Sequence, residues 1–195
     1  MKNRETRELL IEKAIDLFYE RGFGRSSVRD IVKGAGVTNS AVYNHFRDKD
    51  ELLYVIIERI GSRILEIVHD VEVKHEHPLD RLTEMIFQQT CIVKERKKEV
   101  KIYLEEQYQL SPKLKRKALS QHRIIYDFYM KQLCDLEKMG LLRSVNKTVA
   151  NFSCFAMMNW SYRWFKEDGE LTIEEVARSL IDIFFKGILD HDKAA

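Results

Sequence analysis

The residues of this 195-residue chain that could do chemistry are concentrated between Ser26 and Lys49. The segment reads SSVRDIVKGAGVTNSAVYNHFRDK and predicts two short helices joined by a glycine turn. The outer side of the second helix carries amides, hydroxyls and an imidazole but no carboxylate: Asn39, Ser40, Tyr43, Asn44 and His45. These groups can donate hydrogen bonds to base edges, and a single helix fits the major groove of DNA. The pattern indicates duplex DNA as a candidate partner.

Local signals fix where the two helices begin and end. Ser27 is a good N-cap, and Asp30 can complete a capping box with it. Gly36 suits a left-handed turn, and Thr38 can cap the second helix, which we expect to run through Phe46. Lys49 follows that helix, where it could neutralise a backbone phosphate. The alternative is an ordinary helix corner with a polar outer face, because glycine-hinged helix pairs are common.

Longer amphipathic segments must position this helix pair. Residues 4–21 predict a helix that completes a three-helix domain, and a long helix should run from Lys49 to about His75. Further helices are expected after Pro78, from Pro112 to Met139, and in the last 50 residues. The chain has only 8 Gly and 2 Pro, which favours long helices. We therefore predict an all-α fold of about nine helices, with a helix-turn-helix domain over 1–50 and a helical ligand-binding and dimerisation domain over 51–195.

Signals for other kinds of chemistry are weak. The sequence has no glycine-rich phosphate loop, nucleophile elbow or HExxH motif, so we expect neither an enzyme nor a cofactor. Cys91, Cys134 and Cys154 form no CxxC pair, which is typical of reduced thiols in the cytoplasm. His69 and Glu72 could bind a metal ion, but a solvated helix end is favoured. No apolar run reaches about 18 residues, so a membrane span is not expected.

Charge is distributed unevenly along the chain. The net charge is +2, and residues 1–50 contain all of the surplus, with ten Lys and Arg against eight Asp and Glu. Two basic runs lie further on, KERKKEVK at 94–101 and KLKRK at 113–117. Each could be a solvated segment or could bind an anion, and the solvated interpretation is favoured for both.

One longer match extends the DNA-binding interpretation. The run GVTNSAVYNHFRDKDELL, with SVRDIVKGA before it, resembles the DNA-binding domain of the TetR family of bacterial regulators over about residues 5–60. The resemblance implies base reading by Asn39 or Arg29, and phosphate contacts by Tyr43, His45 and Lys49. The full set of implied DNA contacts is Ser27, Arg29, Thr38, Asn39, Ser40, Tyr43, Asn44, His45 and Lys49.

The second half of the chain is rich in aromatic residues and methionine, which suits a helical core and also an adaptable apolar pocket. NWSYRWF followed by GELTIEEVARSLIDIFFKGI resembles the TetR subgroup that senses acyl-CoA thioesters. This resemblance implies an acyl-CoA or fatty-acid-like ligand, with Arg163 either near the CoA phosphates or in a structural ion pair. The candidate ligand-binding residues are Phe87, Tyr103, Gln107, Tyr126, Phe155, Met158, Asn159 and Arg163.

The last helix should be apolar on more than one face, so it needs a second partner surface, and a second copy of the chain would supply one. The candidate dimer residues are Phe152, Trp160, Trp164, Leu180, Ile181, Phe184, Phe185 and Ile188. A twofold dimer would suit a palindromic operator, and we expect a repressor released by its ligand. The alternatives are a lipophilic aromatic or cationic drug-like ligand, or a helical protein-interaction scaffold.

Overall fold

This computed structural model describes residues 2–190, without the side chain of Lys2. These residues contain eight α-helices and one 3₁₀ turn. The α-helices are α1 Lys2–Arg21, α2 Val28–Ala35, α3 Asn39–Tyr43, α4 Lys49–Lys74, α5 Pro78–Glu105, α6 Pro112–Lys138, α7 Lys147–Trp164 and α8 Ile173–Ile188. The 3₁₀ turn spans Gln107–Gln109, and one isolated β-bridge joins Leu142 to Leu189. The prediction of an all-α fold with about nine helices is confirmed.

Capping residues define several of these helix ends. Ser27 with Asp30 and Thr172 with Glu175 form capping boxes, in which each hydroxyl accepts from a backbone N–H and each carboxylate accepts in return. Gly36 has a φ of 65° in the left-handed region, which glycine adopts without the steric penalty of a Cβ atom. The predictions for Ser27, Asp30 and Gly36 are correct because each depends on residues within one turn of the helix.

The α5 helix differs from the sequence expectation. The run 94–101 was predicted to be a solvated connector, but the chain is helical on both sides of a kink at Arg96 (φ −129°, ψ 33°), and α5 ends at Glu105. Val93, Val100 and Ile102 are buried along this segment. The burial of these apolar side chains stabilises a helix where the charged residues alone suggest a loop.

The chain forms two compact units. The first unit comprises Met1–Ser62 and Lys98–Ser120, and the second comprises Arg63–Lys97 and Gln121–Ala195. Helices α4, α5 and α6 each contribute residues to both units. The division into functional domains at residue 50 is a separate prediction and remains one.

Each unit has its own apolar core. In the first unit, Phe18 is 1% exposed and its ring lies edge-on to Phe23, with ring centres 5.2 Å apart. In the second unit, the ring of Tyr129 packs edge-on against Phe155 at 4.9 Å, and its hydroxyl donates to Gln89 Oε1 at 3.0 Å. Buried aromatic rings in such arrangements stabilise the packing of the helices that carry them. Among residues 2–190, no helix combines the length and apolar character needed to cross a bilayer.

Candidate nucleic-acid interface

The α3 helix presents the polar surface that its sequence predicts. Val42 is fully buried and Phe46 is 2% exposed, so these two side chains hold the helix against the core of the first unit. The side chains of Asn39, Ser40 and Asn44 are exposed, Tyr43 is 60% exposed, and His45 is half-buried. The result is a solvent-facing polar surface without a carboxylate in α3.

Two details of α3 differ from the prediction. The helix ends at Tyr43 rather than Phe46, and the chain continues from Asn44 as a tight turn. Thr38 occupies the N-cap position, but its side chain makes no capping hydrogen bond; its hydroxyl lies 2.9 Å from the Ser40 hydroxyl instead. A helix of five residues gains little from its own hydrogen bonds, so α3 depends on the packing of its buried side chains.

The start of α2 carries two further candidate DNA contacts. Ser27 and Arg29 are both exposed, and the Ser27 hydroxyl and backbone N–H donate to the Asp30 carboxylate. These hydrogen bonds lower the pKa of Asp30 below its ordinary value. The capping box therefore fixes the first turn of α2, on which Arg29 lies.

We expect Ser27→Ala to lower the free energy of unfolding by about 0.5–2 kcal/mol, because the hydroxyl that accepts from the Asp30 N–H is lost. Urea denaturation followed by circular dichroism measures this change. Ser120→Ala is the control, since the Ser120 hydroxyl is exposed and donates to a backbone carbonyl of its own helix. Equal stability of the Ser27→Ala variant and the wild type would contradict the capping role.

Lys49 occupies a position that the sequence did not predict. Its ammonium donates to the backbone carbonyls of Phe23 and Ser26, each at 2.7 Å, and lies 4.0 Å from the centre of the Phe23 ring. Burial lowers the pKa of Lys49, and the nearby Glu106 carboxylate partly opposes that shift. Lys49 thus ties the loop between α1 and α2 to the start of α4. Two of its three N–H donors are used inside the protein.

A second contact holds the same loop. The Glu106 carboxylate accepts from the backbone N–H of Phe23 at 3.3 Å. Arg59 of α4 forms an ion pair with Glu8 of α1, and the hydrogen bond between them lowers the pKa of Glu8. Lys49 and Arg59 therefore tie α4 to the α1–α2 loop and to α1, and Glu106, which follows α5, holds the same loop.

The candidate ligand residues do not form one cluster. Tyr103 and Gln107 belong to the first unit, and Tyr103 is 8% exposed. In the second unit, Met158 is buried and its sulfur lies 3.6 Å from the Tyr129 hydroxyl, while Tyr126, Phe155 and Asn159 are half-buried. Burial of Tyr103 raises the pKa of its hydroxyl, so the group is a neutral core side chain.

Arg163 is exposed but held by its neighbours. Its guanidinium lies 4.8 Å from the centre of the Trp160 ring, and its Nε donates to the Tyr162 hydroxyl at 2.8 Å. The guanidinium is thus stacked on an aromatic ring and makes a charge-assisted hydrogen bond to a hydroxyl. These contacts orient a cation at the end of α7.

Two cavities lie in the second unit. The larger, of about 560 Å³, lies between α5 and α8 and is open to solvent. Its lining residues are Thr83, Glu84, Phe87, Arg178, Ile181, Asp182, Phe185 and Lys186. The smaller, of about 150 Å³, is lined by Arg63, Phe87, Gln88, Cys91, Ile92, Glu95 and Arg96. Phe87 lines both of these cavities, and the other candidate ligand residues line neither.

The candidate dimer residues fall into two groups. Phe152 and Trp160 are each 58% exposed and Trp164 is 46% exposed, as expected of side chains available to a partner. Phe184 and Ile188 are 4% and 5% exposed because they pack inside the second unit. Side chains this deeply buried can add little contact area to an interface, so these two are the weakest of the candidate dimer residues. Leu180, Ile181 and Phe185 are half-buried.

One exposed apolar residue of α8 is absent from the candidate dimer residues. The side chain of Ile183 is 58% exposed, as much as those of Phe152 and Trp160. The apolar character of α8 on more than one face was the available signal, and it could not show which side of the helix faces the core.

All three cysteines are free thiols. Burial raises the pKa of the Cys91 thiol to about 11 and raises that of Cys154 further still. The His77 ring accepts from the backbone N–H of Leu79 at the start of α5. Within residues 2–190, no three His, Cys, Asp or Glu side chains are grouped to hold a metal ion.

Comparisons with known proteins match both halves of the chain. The family described as "Bacterial regulatory proteins, tetR family" matches residues 10–55, and "Tetracyclin repressor-like, C-terminal domain" matches residues 75–188. The HTH-type transcriptional repressor KstR2 of Mycobacterium tuberculosis is 25% identical over 189 residues, covering 92% of this chain and 90% of KstR2.

Solved structures agree with this match. The ketosteroid transcriptional regulator KstR2 of Mycobacterium tuberculosis has the same fold, with a TM-score of 0.88 at 24% identity over 94% of this chain and 95% of that one. AibR in complex with isovaleryl coenzyme A and operator DNA has a TM-score of 0.84 at 28% identity, covering 92% of this chain and 98% of that one. The matched C-terminal segment alone exceeds half of the chain, so this protein belongs to the TetR family of bacterial DNA-binding transcriptional regulators.

Proposed function

We propose that this regulator is a ligand-released repressor that binds a palindromic operator as a homodimer. The observation that carries the proposal is the solvent-facing polar surface of α3, held by Val42 and Phe46 on a packed helix-turn-helix. Since DNA is its target, its place of action would be the cytoplasm. Phosphate contacts would give operator binding a steep dependence on salt.

The proposed role of each residue in DNA binding follows from the chemistry of its side chain. Asn39 and Arg29 are exposed at the starts of α3 and α2, where an amide suits adenine and a guanidinium suits guanine. Ser27, Thr38, Ser40, Tyr43, Asn44 and His45 would bind phosphates or support the approach of the helix. Lys49 has one N–H donor beyond the two that hold the loop, and that donor could reach a phosphate.

Asn39→Ala and Arg29→Ala should each relax sequence preference at one operator position, with a loss of about 1–3 kcal/mol of discrimination there. Binding to a library of operators randomised one position at a time measures this change. Tyr43→Ala should instead weaken binding to all sequences alike. Arg63→Ala removes an exposed arginine of the second unit and serves as the control. Unchanged preference in both variants would remove α2 and α3 from the reading of bases.

For the ligand we propose an acyl-CoA thioester bound by the second unit. AibR, which binds isovaleryl coenzyme A, supports this class. The larger cavity supports it as well, because its lining combines apolar side chains with the cations of Arg178 and Lys186, beside the carboxylates of Glu84 and Asp182. Phe87 would contact the acyl part, with Tyr126, Phe155, Met158 and Asn159 as further candidates, and Arg163 remains the candidate for a CoA phosphate. Tyr103 and Gln107 are weaker candidates because they belong to the first unit.

A thermal-shift screen tests the ligand class. Acyl-CoAs of graded chain length, free CoA, and aromatic and cationic drug-like compounds would be compared, each followed by operator release. Stabilisation by acyl-CoAs together with release supports the proposal, whereas stabilisation by the drug-like compounds alone would favour the alternative ligand. The ligand can release DNA only if it binds the DNA-incompetent state more tightly. Helix α4, with residues in both units, is the proposed link.

A further inference from the structure

The two basic runs, similar in sequence, differ in the structure. In the run 94–101, Lys94 pairs with Glu174, Lys97 donates to the Phe165 carbonyl, and Lys98 pairs with Asp16. Lys101 donates to the carbonyl of Tyr19. These lysines of the run therefore have partners within the protein, and their contacts link α5 to other elements of the chain.

The run 113–117 has no such partners. Lys113, Arg116 and Lys117 are exposed, and none of them takes part in an ion pair among residues 2–190. By contrast, Lys131 and Lys138, nearer the other end of α6, both pair with Asp135. The unpaired cations of α6 are thus concentrated at its N-terminal end.

The position of these cations along α6 is electrostatically unfavourable for the isolated protein. The first turn of α6 contains no acidic residue, and the N-terminal end of a helix already carries partial positive charge. Cations there repel the helix dipole and one another. An anion bound at this surface would relieve both repulsions.

The run belongs to the same compact unit as the helix-turn-helix. The backbone N–H of Ser111 donates to both oxygens of the Asp50 carboxylate, at 3.2 and 3.3 Å. Lys117 lies 5.8 Å from the centre of the Tyr54 ring, one turn further along α4. The start of α6 therefore lies beside the first turns of α4, which begins a few residues after the recognition helix α3.

An exposed aromatic residue adjoins the run. Tyr108 is 70% exposed, and the ammonium of Lys115 lies 5.5 Å from the centre of its ring. A cation stacked on an accessible ring is held in place without being neutralised, so it stays available to an anion.

We propose that the start of α6 is a second DNA-backbone surface, in which Lys113, Arg116 and Lys117 bind phosphates flanking the sequence read by α3. The partner is the operator duplex itself, beyond the base pairs that α3 contacts. Exposed unpaired cations in the same unit as the helix-turn-helix complement the charge of a phosphate backbone. The inference rests on the proposed operator binding and adds a contact surface to it.

The test compares wild type with Lys113→Gln/Arg116→Gln/Lys117→Gln on two duplexes, the minimal operator and the same operator extended at both ends. The slope of log K against log salt is measured for each. On the extended duplex, each lost phosphate contact should reduce the slope by about 0.9, and affinity at low salt should fall at least about tenfold. The minimal operator should show a smaller change. Lys131→Gln/Lys138→Gln/Lys166→Gln, with the same change in charge on exposed lysines of the second unit, should bind the extended duplex as the wild type does.

The outcomes separate this inference from the function on which it depends. Loss of operator binding by the wild type itself would overturn the proposed function. Normal wild-type binding with an unchanged slope in the triple variant would overturn only the flanking surface. If the triple variant bound acyl-CoA more weakly while keeping its DNA affinity and slope, the run would serve CoA phosphates, and the inference would again fail.

Discussion

Lys49→Met is expected to lower the free energy of unfolding of the first unit by about 2–4 kcal/mol. The side chain donates charge-assisted hydrogen bonds to the carbonyls of Phe23 and Ser26, and such bonds contribute about 1.5–3 kcal/mol each in favourable cases. Phe23 and Ser26 are only 9% and 5% exposed, so water cannot easily replace the lost donor. Methionine keeps the apolar stem over the Phe23 ring and removes only the charge and the donors.

Operator affinity should fall together with this stability. The loop that Lys49 holds leads directly into Ser27 and α2, so its release would displace the first turn that carries Arg29. Lys33→Met is the matched control, because Lys33 is an exposed lysine on α2. Urea denaturation and operator titration at several salt concentrations would be measured on both variants. A Lys49→Met protein that keeps its stability but loses salt dependence would show a phosphate contact alone, without the structural role.

The role of Lys49 illustrates which features the sequence could not predict. Capping boxes and glycine turns were predicted correctly because their partners lie within a few residues. The acceptors of Lys49 lie 26 and 23 residues away, and only the fold brings them to its ammonium. The exposure of Tyr43 and Asn39 was predictable, since α3 has a short apolar side opposite them.

Dependence on distant packing also explains why the sequence did not distinguish the two basic runs or show which side of the last helix is buried. Runs 94–101 and 113–117 have similar composition, but whether a lysine meets a carboxylate such as Asp16 depends on distant packing. In α8, periodicity identified a wide apolar surface without showing which part faces the core. Phe184 was therefore included among the candidate dimer residues although it is 4% exposed, and Ile183, which is 58% exposed, was left out of them.

The dimer proposal leads to the second large expected effect. Phe152→Glu/Ile183→Glu should convert the protein to a monomer and lower operator affinity at least about a hundredfold. Both side chains are 58% exposed, on helices α7 and α8 that pack against each other, so the changes should leave the folded monomer intact. Once one recognition helix of a dimer has bound, the second is held near its half-site at a high effective concentration. This typically raises the overall affinity by about 10²–10⁴-fold, and a monomer loses that increase.

The control variant introduces the same two glutamates at other exposed apolar positions. Val73→Glu/Met139→Glu replaces two other apolar residues of the second unit, 76% and 51% exposed, and should leave both assembly and operator affinity unchanged. Sedimentation equilibrium and titration of full and half operators would be carried out on each protein. A monomeric variant should bind full and half operators alike, because only one recognition helix can engage. If the Phe152→Glu/Ile183→Glu protein stayed dimeric, α7 and α8 would present their exposed apolar surface to some other partner. The twofold arrangement would then need a different interface.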